Sequence, residues 1–275
     1  SYTSESGLYN FNYGHYFYSD HNCDAHPFLS GIKAGSCKIH KIQLRMQPDK
    51  SRKKIEMMFD EIAPSYDRLN HLFTARRDIV WRRKIVNELK KKDNRFYNIV
   101  DLASGTGDLT LELLKLDPDK ICAVDISKNM LDLLRIKISD ERLELIHAEA
   151  SSMPFEDDSI DLITIGFGVR NFANLNESLA EIRRVLKPGG YLVIIEMFKA
   201  ERMSSKIFNY YFSKIMPFLG NKLSKSKSAY NYLSDSVQNF LTVREFTDIC
   251  QENGFTHEKS VNNFIGVVNS VYLRN

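Results

Sequence analysis

Short apolar runs and segments with helical spacing alternate along this chain from about residue 96 onward. Seven runs have the length and composition of strands: Phe96–Leu102, Ile121–Ile126, Leu143–His147, Asp161–Ile165, Tyr191–Phe198, Phe255–Ser260 and Ile265–Leu273. Because parallel strands need crossover connections, this alternation predicts a parallel sheet with helices on both faces. The last two runs have no helical segment between them, so one of them is expected to be antiparallel. The predicted fold class is α/β, a doubly wound, mainly parallel seven-stranded sheet with a C-terminal antiparallel hairpin.

The helical segments carry local start and stop signals. They are expected at Lys50–Ile62, Arg77–Lys91, Leu109–Lys115, Lys128–Ile138, Leu175–Leu186 and Val243–Asn253. We expect Ser127 to cap the fourth helix, Pro188 and the two glycines after it to stop the fifth, and Gly254 to follow the sixth. Between the first two helices, the sequence predicts a turn that holds Pro64 and Asn70.

The first 45 residues differ in composition from the rest of the chain. Residues 1–45 are rich in Tyr, Phe and His without a period of 2 or 3.6, and they match neither a secretory signal nor a mitochondrial presequence. We expect them to be a disordered or dispensable extension, followed from Met46 by one domain over residues 46–275. Within that domain, about residues 50–92 are expected to form a helical cap. About residues 200–236 are expected to form an aromatic, apolar and basic lid insertion.

The composition argues against several classes of protein. With 43% hydrophobic residues, 27% charged residues and a net charge of +3, the chain is expected to be globular and to have no nucleic-acid partner. No uncharged apolar run approaches the roughly eighteen residues of a membrane-spanning helix. We therefore expect a cytoplasmic protein, or a mitochondrial-matrix protein in a eukaryote, whose membrane contact would be peripheral, at the inner membrane surface. The four cysteines are scattered and their spacing from the histidines matches no zinc pattern, so no metal site is predicted.

The stretch Val100–Thr110, V-D-L-A-S-G-T-G-D-L-T, lies between the first predicted strand and a helix. Gly105 and Gly107 permit backbone angles that a Cβ would oppose, so the chain can turn tightly against a ligand. Asp125 closes the second predicted strand about twenty residues later, where a carboxylate can accept hydrogen bonds from both hydroxyls of a ribose. The spacing therefore predicts a nucleoside-containing cofactor at the carboxyl ends of the strands.

Two cofactors compete for this loop. A nicotinamide dinucleotide would favour a third glycine where Thr110 stands, and its pyrophosphate would lie close to Asp108 at the helix start. S-Adenosylmethionine has a ribose and a positively charged sulfonium but no phosphate, so it suits a loop that carries Asp101 and Asp108. The loop therefore favours S-adenosylmethionine. Asp108 as an ordinary helix N-cap, and Asp101 as a residue that only fixes the loop, remain open alternatives.

From about residue 50 to the end, the chain resembles the ubiquinone/menaquinone biosynthesis C-methyltransferase family. The motifs that carry the resemblance are Tyr66-Asp67-x-Leu69-Asn70 with Trp81, Ala148-Glu149-Ala150 before Met153-Pro154-Phe155, Phe167-Gly168-Val169-Arg170-Asn171, Arg184-Val185-Leu186-Lys187-Pro188-Gly189-Gly190, and Ala229-Tyr230-Asn231-Tyr232-Leu233 with Ser236-Val237. The resemblance implies a class I, Rossmann-like methyltransferase. The chain departs from the family pattern at Thr74, Asp78, Phe198 and Ser104.

The loop and the resemblance together name candidate site residues. The expected cofactor-binding residues are Asp101, Ser104, Gly105, Thr106, Gly107, Asp125, Ile126, Glu149, Ala150 and Gly166. On the acceptor side, Arg170 is expected to stabilise a developing oxyanion and Asn171 to orient the ring. Tyr66 would hydrogen-bond the acceptor or cap its pocket, and His71 would accept a proton. A structural salt bridge for Arg170 and simple packing for His71 remain open alternatives.

The reaction that the resemblance implies is C-methylation of a prenylated quinol ring by S-adenosylmethionine, with demethylmenaquinol as the leading acceptor. The alternatives are the benzoquinol of the ubiquinone pathway and another small apolar acceptor. A dinucleotide-binding module without enzymatic activity is a further alternative. The prenylated quinol is the expected partner, and the sequence leaves membrane contact and oligomeric state open.

Overall fold

The computed structural model describes residues 51–92, 95–199, 232 and 235–275. The expected extension over residues 1–45 and most of the expected lid over about residues 200–236 lie outside these residues. The described helices are α1 (Arg52–Ile62), α2 (Tyr66–Phe73), α3 (Arg77–Leu89), α4 (Asp108–Leu113), α5 (Lys128–Lys137), α6 (Leu175–Val185) and α7 (Val243–Glu252). The described strands are β1 (Asn98–Leu102), β2 (Lys120–Asp125), β3 (Leu143–His147), β4 (Ile160–Gly166), β5 (Leu186–Met197), β6 (Thr256–Phe264) and β7 (Val268–Arg274).

The strands form one seven-stranded sheet in the order β3-β2-β1-β4-β5-β7-β6. Strands β1 to β5 pair in parallel, whereas β7 runs antiparallel to both β5 and β6. This topology confirms the predicted α/β sheet and its closing hairpin. Because β1 lies between β2 and β4, the strand order reverses there, and ligands of such sheets bind beyond the carboxyl ends of the strands at this point.

Apolar side chains cover both faces of the sheet. On one face, Val100, Ile163 and Ile194 pack with residues of α6 and α7. On the other face, strand residues such as Ile99 pack with α3 and α4, including Trp81. The sheet therefore holds its carboxyl edge rigid between two helical layers. Within the described residues, no helix is long and apolar enough to cross a membrane.

The structure differs from the sequence prediction between α1 and α3. The predicted turn with Asn70 was wrong, because Tyr66–Phe73 is a helix that contains Asn70. Pro64 instead lies in the short 3₁₀ turn Ala63–Ser65, which separates α1 from α2. Eight residues seldom form a stable helix in isolation. The tertiary contacts of α2 described below supply the stability that local sequence signals do not.

Several strand boundaries also differ: β1 begins at Asn98, two residues later than predicted, β7 begins at Val268, three residues later, and the largest differences are at β5 and β6. Leu186 pairs with Ile160, so β5 begins before the Pro-Gly-Gly segment, and the register shifts before Tyr191 pairs with Leu162. Strand β6 extends to Phe264 because its polar residues continue to pair with β7. Asparagine is depleted in strands, and the polar sequence there hides the pairing. The N-cap of α5 follows the prediction, since the Ser127 hydroxyl accepts a hydrogen bond from the Met130 N–H at 3.1 Å.

We expect Leu179→Ala to lower the free energy of unfolding by about 2 to 5 kcal/mol, because Leu179 is fully buried between α6 and the sheet. Urea denaturation measures this change. Leu111→Ala is the matched control: Leu111 is 44% exposed, so the same substitution should cost less than about 1 kcal/mol. Equal losses in the two variants would contradict this account of the core.

Candidate active site

A cavity of about 750 Å³, including its open mouth, lies at the carboxyl ends of β1, β2 and β4. Its floor comes from the sheet edge and the loops that follow the strands, with Ala103, Gly105, Asp125, Ile126, Ala148, Glu149, Ala150, Gly166, Phe167, Gly168, Asn171 and Phe172 among its lining residues. Of the helical cap predicted over about residues 50–92, helices α1 and α2 contribute Ile55, Phe59 and Tyr66 to the cavity. From here on, the name cap means these two helices only. Phe59 and Tyr66 meet edge to face with their ring centroids 6.2 Å apart. The cavity is thus predominantly apolar, with a few convergent polar groups.

The structure brings most of the predicted site residues to this cavity. Those that line it are Tyr66, Gly105, Asp125, Ile126, Glu149, Ala150, Gly166 and Asn171. The predicted residues outside its lining are His71, Asp101, Ser104, Thr106, Gly107 and Arg170. The contacts of these six residues in the described structure indicate the role of each.

The two loop glycines have different surroundings. A Cβ on Gly105 would approach Tyr66 Cε1 to 3.9 Å, so it would enter the space between the loop and the cap. A Cβ on Gly107 would approach Leu134 Cγ to 2.6 Å, which is too close without movement of α5. Both glycines have positive φ, 56° and 85° respectively. Gly107 is therefore required by packing against α5, whereas Gly105 keeps the cavity open.

Asp101 is buried beneath the loop and holds it in place by hydrogen bonds. Its carboxylate accepts hydrogen bonds from Thr110 Oγ1 at 2.6 Å and from Thr164 Oγ1 at 3.0 Å, which join β1 to α4 and β4. Burial raises the pKa of Asp101 to about 6, although both threonine hydroxyls oppose the shift. Its bonds correspond to the open alternative in which Asp101 fixes the loop. Thr110, at the position of a third glycine, is one of its two partners.

Asp108 does not have the environment expected for it. It is not the helix N-cap, because Gly107 holds that position. Its carboxylate pairs with Lys137 Nζ and lies 3.6 Å from Arg82 Nη1. Protein cations therefore already balance its charge, and Asp108 is outside the cavity lining. Asp125, rather than Asp108, is consequently the carboxylate that would favour a positively charged cofactor.

His71 lies in the same ion network. Its Nδ1 is 2.8 Å from Asp78 Oδ2, and Asp78 also accepts hydrogen bonds from Thr74 and Arg82, each at 2.6 Å. Burial alone would raise the pKa of Asp78, but these bonds hold it below its usual value. Oxygen and nitrogen atoms of His71, Asp78 and Asp108 lie within 4.8 Å of one another. Arg82 and Lys137 already supply positive charge there, which disfavours a metal ion.

Asp125 is the polar centre of the cavity. Its two carboxylate oxygens accept hydrogen bonds from the N–H groups of Gly105 and Ser127, both at 2.8 Å. Burial raises the pKa of Asp125, while these backbone bonds oppose the shift. Each carboxylate oxygen has a second lone pair, so Asp125 can still accept hydrogen bonds from ligand hydroxyls.

Arg170 is buried beside the cavity, in the short 3₁₀ turn Val169–Asn171 that follows β4. Its Nη1 donates hydrogen bonds to Glu196 Oε1 at 2.6 Å and to the Phe167 carbonyl at 2.7 Å. The alternative of a structural salt bridge is therefore realised in the described structure. The charge of Arg170 nevertheless acts on Tyr66: burial raises the pKa of Tyr66, and Arg170 opposes that shift.

Sequence reasoning missed several residues around the site. Tyr232 donates a hydrogen bond to Asn171 Oδ1 at 3.2 Å, and burial raises the pKa of Tyr232 to about 12. Glu196 is the fully buried partner of Arg170. The motif around Tyr232 was visible in the sequence, but its contact with Asn171 is separated by 61 residues and no local pattern encodes it.

Comparisons with known proteins agree with this geometry. The model of the ubiE/COQ5 methyltransferase family matches residues 46–272. A demethylmenaquinone methyltransferase of Chlorobaculum tepidum is 40% identical over 209 residues, 75% of this chain and 86% of that protein. Its counterpart from Bacteroides fragilis is 37% identical over 222 residues, 78% of this chain and 90% of that protein. The crystal structure of a SAM dependent methyltransferase from Aquifex aeolicus shares the fold, with a TM-score of 0.51 at 19% identity over 69% of this chain and 88% of that one.

Asp101 should make the free energy of unfolding depend on pH. Its pKa is about 6 in the folded chain against 3.8 as the ordinary value, so the folded state binds the proton more tightly. The stability that this proton contributes is lost as the pH rises from about 4 to about 6. We therefore expect Asp101→Asn, which cannot ionise, to gain stability relative to the wild type over that interval, by up to about 3 kcal/mol.

Urea denaturation at several pH values measures this difference. Asp132→Asn is the control with the opposite sign, because a hydrogen bond from Lys128 lowers the pKa of Asp132. That variant should lose stability relative to the wild type as the pH rises. A difference between Asp101→Asn and the wild type that stays constant with pH would show that the buried carboxyl does not titrate as described.

Proposed function

This chain belongs to the ubiE/COQ5 methyltransferase family, and on that premise we propose that it transfers a methyl group from S-adenosylmethionine to a ring carbon of demethylmenaquinol. The observation that carries the proposal is the cavity at the point where the strand order reverses, with Asp125 as its polar centre and an apolar lining. Curated relatives named demethylmenaquinone methyltransferase match about three quarters of the chain, which favours this acceptor over the benzoquinol and over other small apolar acceptors.

The residues of the cavity fit the cofactor. Asp125 would accept hydrogen bonds from the ribose hydroxyls, and Glu149 with Ala150 would contact the adenine. Gly105 keeps open the space that a Cβ would enter. Ser104 lies next to the cavity-lining Gly105 but outside the lining itself, and its Oγ is a buried polar atom without a hydrogen-bond partner among the described residues. When bound, S-adenosylmethionine supplies an electrophilic methyl group on a positively charged sulfur.

The remaining predicted cofactor residues divide into two that line the cavity and three that would act through the loop. Ile126 and Gly166 line the cavity and would contact the cofactor directly. Thr106 donates its hydroxyl hydrogen to Asp67 of the cap. Together with Asp101 and Gly107, Thr106 would shape the cofactor loop rather than touch the cofactor.

Three residues would act on the acceptor. A ring carbon becomes nucleophilic when a neighbouring hydroxyl loses its proton, and the positive charge of Arg170 would stabilise the oxyanion that forms. Tyr66 and Asn171 line the cavity and would orient the ring, with Asn171 held by Tyr232. The hydroxyl proton would pass to water, and the ring carbon would bond to the methyl group as the methyl–sulfur bond breaks and S-adenosylhomocysteine leaves. The ring hydrogen would then leave as a proton to water, and the ring oxygen would regain its proton. His71 is outside the lining and receives no role in this step.

The test is to incubate the protein with methyl-labelled S-adenosylmethionine and a short-tailed demethylnaphthoquinol, and to determine the mass and the ring position of the product. We expect one labelled methyl group on the ring carbon and no turnover of the oxidised quinone, which lacks the hydroxyl that must lose a proton. Faster turnover of a benzoquinol would move the assignment to the ubiquinone pathway, and labelling at nitrogen or oxygen would refute C-methylation.

Further arms of the same assay test the finer proposals. We propose that residues 46–275 are the catalytic domain, so deletion of residues 1–45 should leave turnover unchanged. We also propose that the protein acts in the cytoplasm, or in the mitochondrial matrix of a eukaryote, and meets its acceptor peripherally, at the inner membrane surface. Long-tailed acceptor presented in lipid vesicles should then be methylated while the protein sediments with the vesicles. Light scattering of the same samples reports whether the chain acts as an oligomer.

Arg170 should matter for turnover more than for cofactor affinity. Arg170→Ala alone would leave Glu196 buried and unpaired, which costs about 3 to 5 kcal/mol and confounds the assay. We therefore expect the double variant Arg170→Met/Glu196→Gln to lower kcat by about a hundredfold or more while its Kd for S-adenosylmethionine changes little. The single variant Glu196→Gln keeps the arginine charge and an oxygen acceptor beside it, but it leaves that charge unpaired. Urea denaturation checks that this variant is folded, and the folded variant should retain most of the turnover. Near-normal kcat in the double variant would reduce Arg170 to a structural role.

A further inference from the structure

Asp60 of α1 joins the cap to the start of α5. Its Oδ1 accepts a hydrogen bond from Ser127 Oγ at 2.6 Å and one from the Asn129 N–H at 3.3 Å. The Asp60 carbonyl also accepts from Asn129 Nδ2 at 3.3 Å. Ser127 is fully buried and itself caps α5. Asp60 therefore supplies a carboxylate to the N-terminus of a helix from which it is distant in sequence, which the partial positive charge of that helix end favours.

Asp67 of α2 joins the cap to the glycine loop. Its Oδ1 accepts the hydroxyl hydrogen of Thr106, and its Oδ2 lies 2.9 Å from Lys137 Nζ at the end of α5. Thr106 is almost fully buried, and Lys137 is shared with Asp108. Burial alone would lower the pKa of Lys137, but its bonds to Asp108 and Asp67 raise it, so the lysine stays charged.

Both contacts converge on Asp125. The N–H groups that hold the Asp125 carboxylate belong to Gly105 and Ser127. Asp60 binds the side chain of Ser127, and Asp67 binds the side chain of Thr106, which adjoins Gly105. These hydrogen bonds therefore attach the cap to the same two loops that position Asp125.

The cap contributes Ile55 and Phe59, which precede Asp60, and Tyr66, which adjoins Asp67, to the cavity. Neither Asp60 nor Asp67 lines the cavity, so neither would touch a ligand there. Other carboxylates of the surface differ from them: the Asp132 pair with Lys128 stays within α5 and connects no two parts of the site.

We propose that Asp60 and Asp67 are positioning residues for the methyl donor, which close the cap over it and hold the two loops that orient Asp125. This inference rests on the proposed function, because it assumes that S-adenosylmethionine occupies this cavity. Loss of either carboxylate frees one side of the cap, and the cofactor then has to order that side itself when it binds. The cost appears in cofactor affinity rather than in the rate of methyl transfer once the cofactor is bound.

The experiment measures the Kd for S-adenosylmethionine by titration calorimetry, together with KM and kcat, for Asp60→Ala, Asp67→Ala and the two corresponding asparagine variants. We expect each alanine variant to raise Kd and the KM for the cofactor about tenfold, with kcat at saturating cofactor changed less than about threefold. The asparagine variants keep an oxygen acceptor for Ser127 or Thr106 and should lose less affinity. Asp132→Asn removes one carboxylate from the same region and should bind as the wild type does.

A second readout follows the cap itself. Lys53 and Lys54 of α1 are exposed, so opening of the cap should speed tryptic cleavage after these two residues. Binding of S-adenosylmethionine should slow this cleavage less in the variants than in the wild type. If the alanine variants unfold, the asparagine variants decide the question with the same measurements. Unchanged Kd in folded Asp60 and Asp67 variants, or an equal loss in Asp132→Asn, overturns the positioning role. Failure of the wild-type chain to bind S-adenosylmethionine overturns instead the proposed function on which this inference depends.

Discussion

The hydrogen bonds from two backbone N–H groups to the Asp125 carboxylate are the interaction on which the site depends. They tie the loop after β1 and the start of α5 to the end of β2. A carboxylate that is buried this far needs such donors, since burial otherwise disfavours its charged form. Each oxygen keeps a further lone pair, so the group that joins the two loops can also accept hydrogen bonds from the ribose hydroxyls that the proposed function assigns to it.

Around this centre, charge is arranged in two separate layers. The outer layer, formed by His71, Asp78, Arg82, Asp108 and Lys137, neutralises itself through contacts among its own members. The layer beside the cavity contains Asp125, Glu149 and the pair of Arg170 with Glu196. Because the outer charges are already paired, they stabilise the cap against the loop, and the proposed chemistry is assigned to the few polar groups of the inner layer.

Local sequence was sufficient for the sheet and for part of the site. The apolar runs and their helical connections are local signals, and they predicted the seven strands and the antiparallel end correctly. Gly105 and Asp125 were predicted by their spacing, because a tight turn after the first strand and a carboxylate after the second must both lie at the carboxyl edge of the sheet. The helix Tyr66–Phe73 was missed because eight residues owe their stability to tertiary contacts rather than to local propensity.

By itself, the amino-acid order determined the topology, the carboxyl-edge location of the site and the family to which the chain belongs, since periodicity and motif spacing are properties of neighbouring residues. Only the tertiary structure decided what each acidic side chain faces. Asp101 meets two threonines, Asp108 meets Lys137, and Asp125 alone of these three lines the cavity. The direction of a side chain and the charges around it depend on residues tens of positions away, which fold into contact only when the cap and the loops pack together.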